Sequence, residues 1–151
     1  MKIVSPRSLV IALAIASVCS GCVLVPFVQA FKESGLTEND RMALLGPQVK
    51  KFTDARIFGN KTEALALVTA DARPEIAKQL NESSEEERIV KSQIDHVEWI
   101  DDARKAKVTV RVDSYKVTRL VVNAVKEEQT WEFNSASGWQ LSARTKVEDA
   151  A

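Results

Sequence analysis

Histidine and cysteine are nearly absent from these 151 residues: there is one His, His96, and there are two Cys, Cys19 and Cys22. A zinc site built from several Cys and His is therefore out of reach, and no metal ion or other cofactor is expected. Glycine is also scarce, with five in the chain, and none stands at the spacing of a phosphate-cradling loop. No Ser occupies a Gly-x-Ser-x-Gly elbow. Excess charge of either sign is missing, because 21 Lys and Arg balance 21 Asp and Glu. A general nucleic-acid binder needs surplus cation to displace counterions from phosphates. Three Trp are also few for a platform that stacks single-stranded bases. What is present is a globular composition, 45% apolar and 28% charged, with room for one domain. No internal repeat or low-complexity tract interrupts it.

The amino-terminal stretch reads as a targeting segment. Lys2 and Arg7 form a short cationic start, residues 9–18 (LVIALAIASV) are apolar, and small residues precede Cys22. That is the pattern of a secretory signal. The apolar core of about ten residues is half of what a spanning helix needs. The end of this segment resembles a bacterial lipobox: Ser20, Gly21 and Cys22 match, while Cys19 stands where Leu is usual. The resemblance implies cleavage between Gly21 and Cys22 and a diacylglycerol on the Cys22 sulfur. Its implied partner is thus the membrane, held through lipid on Cys22; two or three acyl chains anchor far more firmly than one. Val23 follows Cys22. An Asp there is the usual inner-membrane retention cue in enteric-type bacteria, so the likeness favours the outer membrane, with the domain facing the periplasm. Two other readings stand beside it. Cys19 and Cys22 can be plain small residues of a cleaved signal, or residues 9–31, uncharged throughout, can stay as an uncleaved anchor. Removing Lys2 and Arg7 leaves acids exceeding bases by two, too mild a balance to direct the domain to anionic lipid.

Residues 22–36 form a tether without a clean period, residues 37–146 the folded domain, and residues 147–151 a tail. Thr37 with Asp40 marks a helix start. Gly46-Pro47 is expected to end that helix at Leu45, with Pro47 opening a second one that carries Val49, Phe52, Ile57 and Phe58 and closes at Gly59. Asn60 with Glu63 resembles a capping box. Ile76 and Leu80 lie four apart on one helical face after Pro74. Residues 81–88 are polar and acidic, a solvated loop or helix turn and not a calcium loop, since the acids are consecutive and no Gly is near.

From residue 89 the period changes to two. Val108, Val110 and Val112 alternate with polar residues; so do Val125, Trp131 and Phe133, and then Trp139, Leu141 and Ala143, with Arg144 on the polar side. Residues 89–100 show mixed faces, which calls for a bulge or two covered faces. Val97 and Trp99 point one way, and Ile94, His96 and Ile100 the other. Strands this close in sequence pair antiparallel. The expected architecture is α+β, with helices packed on one face of about four strands.

Residues 52–68 (FTDARIFGNKTEALALV) resemble the helical opening of nuclear-transport-factor-2-like domains, where an aromatic-bearing helix ends at a Gly-Asp or Gly-Asn step and a short Glu-Ala-Leu helix follows. The likeness spans roughly residues 48–143 and implies a sheet bent into a cone around a pocket. It does not select a function, because that fold hosts isomerases, dehydratases, assembly subunits and binding domains. Enzymes of that group hold an Asp–His or Tyr–Asp pair inside the cone. Asp95 and His96 are adjacent in a strand and are expected on opposite faces.

Few residues carry candidate chemistry. His96 can act as a general base if it faces the concave side; a hydrogen-bonded strand histidine is the plainer reading. Tyr115 with Asp113 makes either a polar pocket wall or a solvent-facing pair. Trp99 can line a pocket or, like Trp131 and Trp139, form core beneath the helices. Leu120, Val121 and Val122 lie in an apolar run expected as a wide connection, either exposed to a partner or buried as strand. Three functions follow in order: a non-catalytic module docking an envelope protein, a binder of a small apolar ligand, and an isomerase- or dehydratase-type enzyme using His96.

Overall fold

The computed structural model describes residues 34–147, apart from the side chains of 84–86 and 120. Three helices, α1 (Glu38–Ile57), α2 (Lys61–Ala66) and α3 (Arg73–Glu86), precede four strands, β1 (Glu87–Ile100), β2 (Lys105–Lys116), β3 (Arg119–Asn134) and β4 (Gly138–Val147). The strands form one sheet in the order β1-β2-β3-β4, and every neighbouring pair is antiparallel. This is the α+β architecture that the change of period implies. Residues 1–33, which hold Gly21, Cys22 and the lipobox-like segment, lie outside the described residues.

Helix α1 opens on a reciprocal cap: Thr37 Oγ1 accepts from the Asp40 N–H at 3.2 Å, and Asp40 Oδ2 accepts from the Thr37 N–H at 3.4 Å. It then runs for 20 residues, through Gly46 and Pro47. The expected break at Leu45 is therefore wrong. Arg41, Leu45, Val49 and Phe52 are spaced four, four and three apart and are all buried on one stripe. Pro47 and Ala43, whose carbonyl loses its partner, lie on the exposed side, where water can serve it. Burial of both halves against one sheet outweighs the local penalty. The helix closes at Phe58, followed by Gly59 with a φ of 72°.

Strand β2 alternates without interruption: Ala106, Val108, Val110, Val112 and Ser114 are buried against the helices. The two edge strands, β1 and β4, do not. In β1 the register skips between Ile89 and Lys91 and between Ile94 and His96. The inward positions are Ile89, Ser92, Ile94, Val97 and Trp99, opposite the buried residues of β2. Spacings of three and two bend the strand. The second bulge also corrects two expectations: Ile94 shares the inner side with Val97 and Trp99, while Asp95 and His96 both lie opposite Thr109 on the outer side and are exposed. In β4 the register skips between Thr130 and Trp131 of the partner strand, so Ser142 is the additional residue. Ala143 is exposed and Arg144 is buried, the reverse of strict alternation.

One end of the enclosed core is aromatic. Trp131, Trp139 and Phe52 are fully buried. Phe133 meets Trp139 edge-on at 5.5 Å, and Phe52 meets Trp131 edge-on at 6.1 Å. Trp139 Nε1 donates to the Arg41 carbonyl at 2.8 Å. The Arg41 guanidinium donates to four carbonyls, those of Gly35, Leu36, Asp102 and Ala103. The last two belong to the β1–β2 turn, where Asp101, Asp102 and Ala103 hold φ values of 54°, 49° and 54°. Left-handed backbone costs roughly 1–2 kcal/mol per non-Gly residue, so Arg41 offsets strain that the turn carries.

Candidate functional site

At the other end, the helices splay from the sheet and leave an open cavity of about 420 Å³. The end of α1 supplies Arg56, Ile57 and Phe58, α2 supplies Lys61 and Ala64, and α3 supplies Leu80 and Ser83. The sheet adds Glu87, Arg88 and Ile89 from β1, Val112 and Ser114 from β2, Val125 and Glu127 from β3, and Lys146 from β4. Phe58 stands at the rim, 83% exposed.

The floor is ionic. Glu127 lies between Val125 and Gln129 on the inner face of β3. Arg56 donates to it twice, from Nη1 to Oε2 at 2.8 Å and from Nη2 to Oε1 at 3.0 Å. Arg144 donates from the opposite side, from Nε to Oε2 at 3.0 Å and from Nη2 to Oε1. Side-chain exposures of 5% for Arg56, 2% for Glu127 and 1% for Arg144 place the cluster out of bulk water. Burial by itself pushes the Glu127 carboxyl up, but the two guanidiniums outweigh it and hold the group far below the usual carboxylate range. Burial pulls the Arg56 guanidinium down from its ordinary value, as does Arg144, with Glu127 opposing both. Glu87, the second carboxylate at the cavity, accepts from Lys146 Nζ at 2.9 Å.

Among the described candidate site residues, His96, Trp99, Tyr115, Val121 and Val122, none lines this cavity. His96 is exposed on the outer face of the sheet and not on its concave side, which the general-base reading requires. Tyr115 is half-buried and, by the alternation of β2, sits on that same outer side with Asp113. Trp99 is inward but packs 6.1 Å from Trp139 at the aromatic end. Residues 120–122 belong to β3 and not to a wide connection; Val121 and Val122 are 49% and 58% exposed beside the β2–β3 turn. The cavity residues did leave one signal: Glu127 and Gln129 fall on the same parity as Val125, Trp131 and Phe133. Arg56 likewise follows Val49 and Phe52 at helical spacing. Arg144 left no such signal, because the bulge at Ser142 moves it inward. Among the described residues, no group of His, Cys, Asp and Glu is placed to hold a metal ion, and no helix is long and apolar enough to cross a membrane.

No family model matches the sequence, and no curated protein does. Solved structures do match the fold. A ketosteroid isomerase-like protein from Erwinia carotovora atroseptica superposes with a TM-score of 0.60 at 14% identity, over 75% of this chain and 99% of that one. A domain of unknown function with a cystatin-like fold, from Nostoc punctiforme, superposes with a TM-score of 0.59 at 13% identity, over 73% of this chain and 78% of that one. Identities this low speak to backbone arrangement alone. Helices first, then a bulged and curved antiparallel sheet closing around a cavity: the chain has the cone fold of nuclear-transport-factor-2-like domains.

Proposed function

We propose that this chain is a lipid-anchored envelope domain whose cone binds a small molecule without transforming it. The neutralisation of the cavity carboxylates carries the non-catalytic part of the reading. A general base has to be free to take a proton near working pH. Glu127 is instead clamped by two guanidiniums, and Glu87 accepts from Lys146. Among the described residues no His, Cys, Asp or Tyr lines the cavity, and His96 is exposed on the outer face of the sheet. The cavity itself supports binding, since its volume falls in the range of small-ligand pockets and its lining combines apolar side chains with charged and hydroxyl-bearing ones. The lipobox-like segment ending in Cys22 supports the anchor.

The test of binding is thermal stabilisation of the full chain by a panel of small amphiphiles, repeated with Val125→Trp, which fills the cavity. A ligand that binds raises the melting temperature in proportion to the logarithm of its concentration, and Val125→Trp abolishes the rise. A rise unchanged in Val125→Trp refutes the cavity as the site. For the anchor, membrane-extracted protein has the mass of a chain beginning at acylated Cys22, and Cys22→Ser loses both that mass and membrane partitioning; an unchanged profile refutes lipidation. A second reading, docking of an envelope protein, draws on Val117, Val121 and Val122, each about half exposed on the β2–β3 hairpin. Charged substitutions there that leave partner pull-down unchanged refute it.

A further inference from the structure

We infer that the cavity selects an amphipathic anion: a compact acidic head on an apolar body. The inference rests on the binding reading above and names the ligand class. Two buried guanidiniums, Arg56 and Arg144, share the single carboxylate of Glu127, so these three side chains sum to one positive charge; Glu87, the other carboxylate acting on Arg56, is itself paired with Lys146. A buried charge without a counter-charge is costly. Arg56, which faces the cavity, is placed to offer that charge to an incoming anion. At the rim, Lys61 and Lys146 add two ammonium groups, and Lys146 is shared with Glu87 alone. Lys61 Nζ donates to the neutral Asn81 side chain at 2.9 Å, so no charge is spent there. Leu80, Ile89, Val112 and Val125 give the walls an apolar part, beside Ser83, Ser114 and Arg88. A purely apolar ligand would strand these cations away from water; an inorganic anion would leave the walls wet. A molecule with both parts satisfies both surfaces at once.

The experiment titrates the purified full chain with decanoate, decyl phosphate and decanamide, followed by the methyl resonances of Ile89, Val112 and Val125. These probes share a tail and differ in head charge. Decanoate or decyl phosphate is expected to shift those methyls with an affinity at least about tenfold above that of decanamide, the weight of one charge-assisted hydrogen bond. Whichever anion binds better identifies the head as carboxylate or phosphate. Lys61→Gln combined with Lys146→Gln, which leaves the Arg56 charge in place, is expected to weaken the anion toward the level of decanamide without moving the amide, while Lys105→Gln, distant and exposed, changes neither. Equal affinity of decanoate, decyl phosphate and decanamide overturns the anion selectivity and leaves the cavity reading standing. Failure of all three to shift the cavity methyls overturns the cavity reading itself.

Discussion

Strand β3 passes through two unlike environments within a few residues. At Trp131 it lies in the apolar core, edge-on to Phe52; at Glu127 it is enclosed by two guanidiniums and an open cavity. The positions are four residues apart, about 13 Å along a strand. Gln129 stands between them: its Oε1 accepts from Trp131 Nε1 at 3.1 Å, while its Nε2 has no partner among the described groups. The aromatic end gains from area and shape. Its polar atoms are few, and the Trp131 and Trp139 N–H groups both donate. The ionic end buries charge, which contributes stability only while every partner is in place. One end thus stabilises the domain, and the other keeps an expensive arrangement that stability alone does not explain.

The contrast can be broken from either side. Trp131→Ala should have the largest effect, a loss of about 3–5 kcal/mol read from the urea midpoint, because the cavity it leaves is walled by rigid strands. Glu127→Gln should follow at about 3 kcal/mol, the lower part of the range for a broken buried pair, since water can reach the floor through the open cavity. The same variant should alter the acid limb of stability. Glu127 ionises more readily folded than unfolded, so its contribution is full above the ordinary carboxyl range and is lost as pH falls below about 4.5. Melting temperatures measured downward from neutral pH should therefore drop more steeply in the parent than in Glu127→Gln; parallel curves would remove the linkage. The smallest effect sharpens the aromatic end. Asp102 has a φ of 49°, and Asp102→Gly should stabilise by about 1 kcal/mol. A destabilised variant would mean that the turn is held by more than Arg41.

The legible parts of this fold are those where one physical signal acts alone. Val108, Val110 and Val112 alternate because β2 is central and carries no bulge of the β1 or β4 kind, so the period gives its inner face directly. Thr37 and Asp40 announce a helix start through a cap that needs only local contacts. Pro47 misleads because its penalty is local, while the burial of Leu45, Val49 and Phe52 that outweighs it is tertiary. His96 and Arg144 mislead for a shared reason. Each follows a bulge, and a bulge is set by how the neighbouring strand pairs, which alternation within one strand does not encode. The candidate site was the less legible part, since its charged floor is drawn from three elements, and only Glu127 and Arg56 kept the parity or spacing of their apolar neighbours.

The additional residue at Ser142 bears on how relatives of this chain are to be compared. Two residues opposite one let β4 bend while Leu141 and Arg144 both stay inside. In a straighter relative the residue two after the counterpart of Leu141 points inward. A correct alignment therefore requires a one-residue gap at Ser142. Placed elsewhere, the gap would match Arg144 with surface positions, and the guanidinium that closes the ionic floor would vanish from any comparison scored along the sequence.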